Sequence, residues 1–106
     1  MNEDISLWTT VRQAEAIRDG RITSRALLEH LIERIERINP SLNAIVTVDY
    51  ESARAAADAA DAALARGDTP GPLHGVPITV KDALETRGIR STGGATELRD
   101  NVPARD

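Results

Sequence analysis

The residue with the clearest chemical potential is Lys81, which closes the apolar segment LHGVPITVKD. The chain of 106 residues contains twelve arginines but only this one lysine. A partly buried lysine can lose its proton near neutral pH, whereas a guanidinium cannot. Lys81 is therefore a candidate general base. On spacing alone, the alternative is a solvated lysine at the edge of a sheet, since perturbed groups also arise for structural reasons.

Two serines offer a second hypothesis, a self-contained serine–lysine hydrolase. Ser91 or Ser24 would be the nucleophile, and Gly93-Gly94 is the nearest glycine pair that could supply oxyanion-binding amides. The sequence disfavours this hypothesis as a motif coincidence, because Ser91 is expected across a turn from Lys81 and no oxyanion loop other than Gly93-Gly94 is evident.

Two further polar residues near Lys81 are expected to be structural. His74 precedes the apolar run in a turn and is expected to pack rather than to act as a base. Asp82 would point to the opposite face of a strand from Lys81, so we expect it to anchor backbone or a neighbouring loop.

Composition narrows the function classes. The formal net charge is −4 with both signs interspersed, which gives no footprint for nucleic acid or an anionic membrane. There is no cysteine, and the two histidines lie in different contexts, so we expect no disulfide, metal or cofactor. The residues Met1–Leu7 lack a basic and apolar leader pattern, and no apolar stretch is long enough for a membrane span. The expected location is the cytoplasm.

Three segments of the N-terminal part predict helices. Residues 9–19 have apolar side chains at helical spacing, a threonine cap and Gly20 as a stop. A longer amphipathic helix follows Thr23 and is expected to end at Asn39-Pro40, because proline disfavours helical geometry in the residue before it. A third helix from about Ser52 to Arg66 has an alanine-rich face that could pack closely on another element. The apolar face of the second helix consists of Leu27, Leu28, Leu31, Ile32, Ile35 and Ile38.

The character of the chain changes at Gly67. Residues 67–75 are turn-forming, and residues 76–80 then alternate apolar and polar side chains, which predicts a strand with Lys81 at its end. Residues 42–48 form a second strand or an extended connection. We therefore expect an α/β fold with a helical region at 1–66 and a loop, the lysine-bearing strand and an extended segment at 67–106. A stable sheet needs three or more strands or helix cover, so the fold is expected to be incomplete in this chain.

The motifs around Lys81 resemble those of a known family. The segments GPLHGVPITVKD, STGGATELRDNVPARD and RINPSLNAIVTVD closely resemble the N-terminal part of the amidase signature hydrolases, over about residues 23–106. One departure is Ala95, which stands where that family usually has serine after the glycine matched by Gly94.

The resemblance implies a mixed-sheet amidase fold and a serine, cis-serine and lysine triad, with Lys81 as the lysine. Such an enzyme cleaves a carboxylic amide C–N bond, other than a peptide bond, through a serine acyl-enzyme. The family's serines are expected downstream of Asp106, so the chain alone is expected to be inactive. The implied partners are a small-molecule amide in the complete enzyme and either the remaining amidase core or a second copy of this chain. The substrate-binding residues are not indicated.

The alternative function is a non-catalytic helical interaction module. The apolar face of residues 27–38 and the alanine face of residues 53–64 could bind partner helices instead of packing on each other.

Overall fold

The structure is a computed structural model that describes residues 4–106, so the first three residues of the predicted helical region lie outside it. The α-helices of the described part are α1 (Thr10–Arg18), α2 (Ser24–Leu42) and α3 (Tyr50–Ala65). Short 3-10 helices span Ile5–Leu7 and Thr96–Leu98. Residues 4–106 contain no β-strand beyond an isolated antiparallel bridge between Thr86 and Ile89.

Threonine caps begin the first two α-helices, as predicted. The Thr9 hydroxyl accepts from the Arg12 amide at 3.1 Å, and the Thr23 hydroxyl accepts from the Ala26 amide at 3.0 Å. Each bond satisfies one of the amides that a helix start leaves without an intrahelical partner. These local signals therefore located both helix starts correctly.

The predicted end of α2 at Asn39 is wrong, because the helix continues through Pro40 to Leu42. Proline lacks an N–H and therefore removes one hydrogen bond, a loss that is tolerated within the last turn. The helix ends at Asn43, whose φ of 50° is left-handed and whose amide donates to the Asn39 carbonyl at 2.6 Å. The Asn39 side chain also accepts from the Ala44 amide at 3.0 Å. These bonds outweigh the bias that proline imposes on its neighbour.

The third predicted helix is confirmed to within two residues at each end. Gly67 follows it with a φ of 84°, and the Asp68 amide donates to the Ala63 carbonyl at 3.1 Å. This is the glycine-terminated helix end that the sequence indicated.

The described chain divides into two compact units. Unit 1 contains the residues up to 44 together with 50–77, and unit 2 contains Ile45–Asp49 and Ile78–Asp106. The sequence-based boundary at residue 66 remains a prediction, and the structure groups the turn-rich residues 67–77 with the helices.

Helices α2 and α3 form one buried cluster of unit 1. Leu28, Ile32 and Ala57 are buried together, with Tyr50 and Ala53 packed against them. The predicted apolar face of α2 and alanine face of α3 therefore pack on each other, although Ala56 of that face is exposed.

Polar contacts also join these two helices. The Asp61 carboxylate of α3 accepts from the Ser24 amide at 2.7 Å and the Arg25 amide at 3.0 Å, at the start of α2. Arg54 donates to both carboxylate oxygens of Glu29, at 2.6 and 3.2 Å. A carboxylate at a helix N-terminus is favoured by the exposed amides and the helix dipole.

The strand predicted at residues 76–80 is not confirmed. These residues adopt no regular structure, and the side chain of Ile78 is 77% exposed. Of the predicted segment 42–48, Leu42 belongs to α2 and residues 43–48 lack regular structure, so the strand alternative is not confirmed and a connection describes them better. A strand requires a hydrogen-bonded neighbour, and the described residues 4–106 supply none for this segment.

No helix within residues 4–106 is both long enough and apolar enough to cross a membrane. The cytoplasmic location remains a prediction from the sequence.

Candidate active site

Lys81 lies in unit 2, immediately after residues 78–80, which have no regular secondary structure, and its side chain is exposed. Among residues 4–106, no hydrogen bond or ion pair involves its ammonium group. Its backbone is held, because the Lys81 carbonyl accepts from the Leu84 amide at 2.9 Å. The structure therefore presents the lysine on a turn-anchored backbone with its side chain available.

Asp82 joins the lysine segment to the loop at residues 91–95. Its carboxylate accepts from the Thr92 amide at 3.0 Å and also from the Thr92 hydroxyl. Its backbone carbonyl accepts from the Gly93 amide at 3.0 Å. The Thr92 hydroxyl, followed by the Thr92 amide, holds the pKa of the Asp82 carboxyl below its ordinary value. This matches the anchoring role expected for Asp82.

The backbone amides of residues 92–95, in the glycine-containing loop, all donate hydrogen bonds to Asp82 or to Thr92. Those of Thr92 and Gly93 donate to Asp82, that of Gly94 donates to the Thr92 hydroxyl at 3.1 Å, and that of Ala95 donates to the Thr92 carbonyl at 3.0 Å. An oxyanion site needs donors aimed at the developing charge. Gly93-Gly94 therefore supplies no such donors here and serves as an anchor instead.

Ser91 is buried, with 6% of its surface exposed. Its hydroxyl donates to the Ile89 carbonyl at 2.9 Å and accepts from the Thr86 amide at 3.2 Å. Its backbone exchanges further bonds with Asn101, whose carbonyl accepts from the Ser91 amide and whose side-chain amide donates to the Ser91 carbonyl. These contacts give Ser91 a structural role and leave the serine–lysine hypothesis without a free nucleophile at this position.

In unit 1, Ser24 and His74 are also engaged in structural contacts. The buried Ser24 hydroxyl donates to the Gly75 carbonyl at 2.6 Å. The His74 ring nitrogen Nε2 lies 2.8 Å from the Ala60 carbonyl oxygen, so the ring is in the packing role expected from its position in a turn. Gly75 has a φ of 80°, in the left-handed region that favours glycine.

A shallow pocket of about 140 Å³ lies within unit 2, and Lys81 does not line it. Its walls include the anchored pair Asp82 and Thr92 together with Arg90 and Arg99. No cluster of three or more metal-binding side chains occurs among the residues that the structure describes. Lys81 therefore lies outside this pocket.

Large apolar side chains of unit 2 are exposed around this framework. They come from both of its segments and are Val46, Val48, Ile78, Val80, Leu84, Leu98 and Val102. Where such exposed aliphatic groups form a contiguous patch, the surface is typically one that other protein covers.

Comparison with known proteins identifies the family to which the chain belongs. Residues 26–106, which include Lys81, Asp82 and Thr92, match the family model described as Amidase. That match covers most of the chain, and the chain belongs to the amidase family.

Individual relatives match over most or all of the chain. A glutamyl-tRNA(Gln) amidotransferase subunit from Roseiflexus sp. (strain RS-1) is 45% identical over 92 residues, which are 87% of this chain and 19% of the relative. The "Putative amidase AmiD" of Mycobacterium tuberculosis (strain ATCC 25618 / H37Rv) is 44% identical over an aligned length of 107, which is 100% of this chain and 22% of the relative. The chain thus spans about a fifth of the length of these relatives.

A solved structure shows the same fold over the matched part. It concerns a vestigial protein complex that reveals the evolutionary origins of an s-triazine catabolic enzyme. The similarity has a TM-score of 0.86 at 35% identity and covers 92% of this chain and 21% of that chain.

Sequence reasoning missed Thr92 as the partner of Asp82. The signal was a hydroxyl residue directly before two glycines, in the same stretch as a Lys-Asp pair. Only the folded loop shows that the two residues meet.

Proposed function

We propose that this chain is the N-terminal part of an amide hydrolase in which Lys81 is the general base. The observation that carries the proposal is the position of the single lysine. It lies inside the region matched by the amidase family, on a held backbone, with an exposed side chain.

In the proposed mechanism, the rest of the enzyme covers Lys81 and so favours its neutral form. The neutral amine then accepts a proton through a bridging serine, which in turn activates a nucleophilic serine. The nucleophile attacks a carboxylic amide, and ammonia or an amine leaves. Water then hydrolyses the acyl-enzyme. Neither serine is Ser91 or Ser24, because both of those hydroxyls are occupied by backbone partners. Both catalytic serines, the cis peptide of one of them and the oxyanion donors come from the rest of the enzyme.

The same proposal gives the exposed apolar residues of unit 2 a role. In the complete enzyme, residues 76–80 join a mixed sheet whose other strands come from the remaining core. The exposed apolar side chains are buried against that core. The exposed side chains of Ile78 and Val80 support this assembly. The isolated chain, which lacks both catalytic serines, is inactive.

The alternative, a helical interaction module, has less support. The faces of α2 and α3 that would bind partner helices are packed against each other in unit 1.

A chimeric enzyme tests the proposal. The segment of the mycobacterial AmiD relative that aligns with this chain is replaced by these 106 residues, and release of ammonia from a panel of simple carboxamides is measured. We expect the chimera to hydrolyse the same amides as the unmodified relative. Lys81→Met should lower kcat by about 10²–10⁴-fold, the usual contribution of a positioned acid–base group.

Arg87→Met is the matched control, because it removes an exposed cation from the same unit. This variant should keep the rate of the chimera, and the 106-residue chain alone should release no ammonia. A folded Lys81→Met chimera that hydrolyses amides at the unmodified rate would contradict the proposal.

A further inference from the structure

Asp82, the residue after Lys81, is hydrogen-bonded to the loop at residues 91–95 through both its side chain and its backbone. Its side chain and its backbone both reach the same two consecutive residues, Thr92 and Gly93. The Leu84 amide also donates to the Lys81 carbonyl. Hydrogen bonds therefore hold the backbone at both residue 81 and residue 82.

The loop that receives these bonds is itself fixed. The Thr92 hydroxyl donates to Asp82 and accepts from the Gly94 amide at 3.1 Å, so it connects the carboxylate to the glycine turn. The buried Ser91 adds bonds to Thr86, Ile89 and Asn101. The carboxylate is therefore attached to a loop that has several hydrogen bonds of its own.

We infer that Asp82 is a positioning residue for Lys81, acting through its paired bonds to Thr92 to fix the backbone from which the lysine side chain extends. The inference rests on the proposed function of Lys81 as the base. A base on a four-carbon side chain has several rotatable bonds, so a fixed backbone removes one large source of misplacement. A displacement of about 1 Å at a reacting group can cost about 100-fold in rate.

The first test measures the backbone order of Lys81 by ¹⁵N relaxation in the 106-residue chain. We expect an order parameter of about 0.85 for Lys81 in the unmodified chain and in Thr92→Ser, which keeps both donors. In Asp82→Ala and in the isosteric Thr92→Val, the value should fall toward about 0.6 or below. Glu85→Ala, which removes an exposed carboxylate from the same loop, should change nothing. An unchanged Lys81 order parameter in both Asp82→Ala and Thr92→Val overturns the inference.

The second test uses the chimera, with the concentration of active enzyme determined by titration. Asp82→Ala and Thr92→Val should lower kcat by about 10–100-fold with KM nearly constant, and Thr92→Ser should restore the rate. A purely structural role would lower the yield of active enzyme and leave kcat per active site unchanged, which overturns the inference.

The two proposals fail separately. If Lys81→Met abolishes hydrolysis while Asp82→Ala retains full kcat, the proposed function stands and the positioning role does not. If Lys81→Met retains activity, the proposed function itself fails.

Discussion

Gly75 is the position where one added methyl group tests the packing of unit 1 most sharply. Its φ of 80° costs an alanine about 1–2 kcal/mol. A Cβ there would lie 3.1 Å from the Ser24 Cβ and 3.2 Å from the Ile17 Cγ2. Both neighbours are buried, so they must shift to accommodate the added methyl group, and this overpacking costs about 1–3 kcal/mol more. Gly75→Ala should therefore destabilise the chain by about 2–5 kcal/mol.

Urea unfolding followed by circular dichroism and by the fluorescence of the single tryptophan, Trp8, measures this loss. Substitutions at two other glycines of unit 1 separate the cost of the positive φ from the cost of overpacking. Gly67 has a φ of 84° and nothing within 4 Å of an added Cβ, so Gly67→Ala should cost only the backbone share of about 1–2 kcal/mol. Gly71 has neither feature, and Gly71→Ala should be neutral or slightly stabilising. A Gly75→Ala cost no larger than that of Gly67→Ala would refute the close packing of Gly75 on Ser24 and Ile17.

Two further predictions concern the helices of unit 1. Leu27 is 0% exposed, so Leu27→Ala should lower the free energy of unfolding in urea by about 2–5 kcal/mol. Leu42 is 65% exposed, and Leu42→Ala should change this free energy by no more than about 0.5 kcal/mol. Equal losses would contradict the burial of Leu27. The ion pairs with Arg54 and then Arg25 lower the pKa of Glu29 from its ordinary value of 4.5 to about 2, so its contribution to stability is present above pH 4.5 and disappears as the pH falls to about 2. The difference in unfolding free energy between the unmodified chain and Glu29→Gln should shrink over that interval, and a difference independent of pH would argue against these ion pairs.

The sequence predicted the helices well because their signals are local. Thr9 and Thr23 accept hydrogen bonds from amides three residues ahead, and Gly67 ends α3 through its own backbone conformation. The apolar spacing of α2 also identified the side that packs on α3. Pro40 misled the prediction because a proline in the last turn removes only one hydrogen bond, and the Asn39 side chain supplies bonds that a residue-by-residue rule does not include.

The surroundings of Lys81 were harder to predict because they depend on contacts between distant residues. The alternation at residues 76–80 is typical of a strand, yet a strand forms only where another supplies the ladder, and the pattern carries no information about that partner. The meeting of Asp82 with Thr92 depends on the path of the intervening loop. The family resemblance singled out Lys81 on specific motifs, whereas the residues that hold its backbone emerged only from the fold.

The most direct test of Lys81 as a base, and not merely as a positive charge, is the hydrolysis rate of the chimera carrying Lys81→Arg. Arginine keeps the charge and a similar reach but cannot give up its proton. We predict a kcat as low as that of Lys81→Met. An arginine variant that retained a substantial part of the unmodified rate would show that position 81 contributes charge alone, and the mechanism proposed for this chain would be wrong.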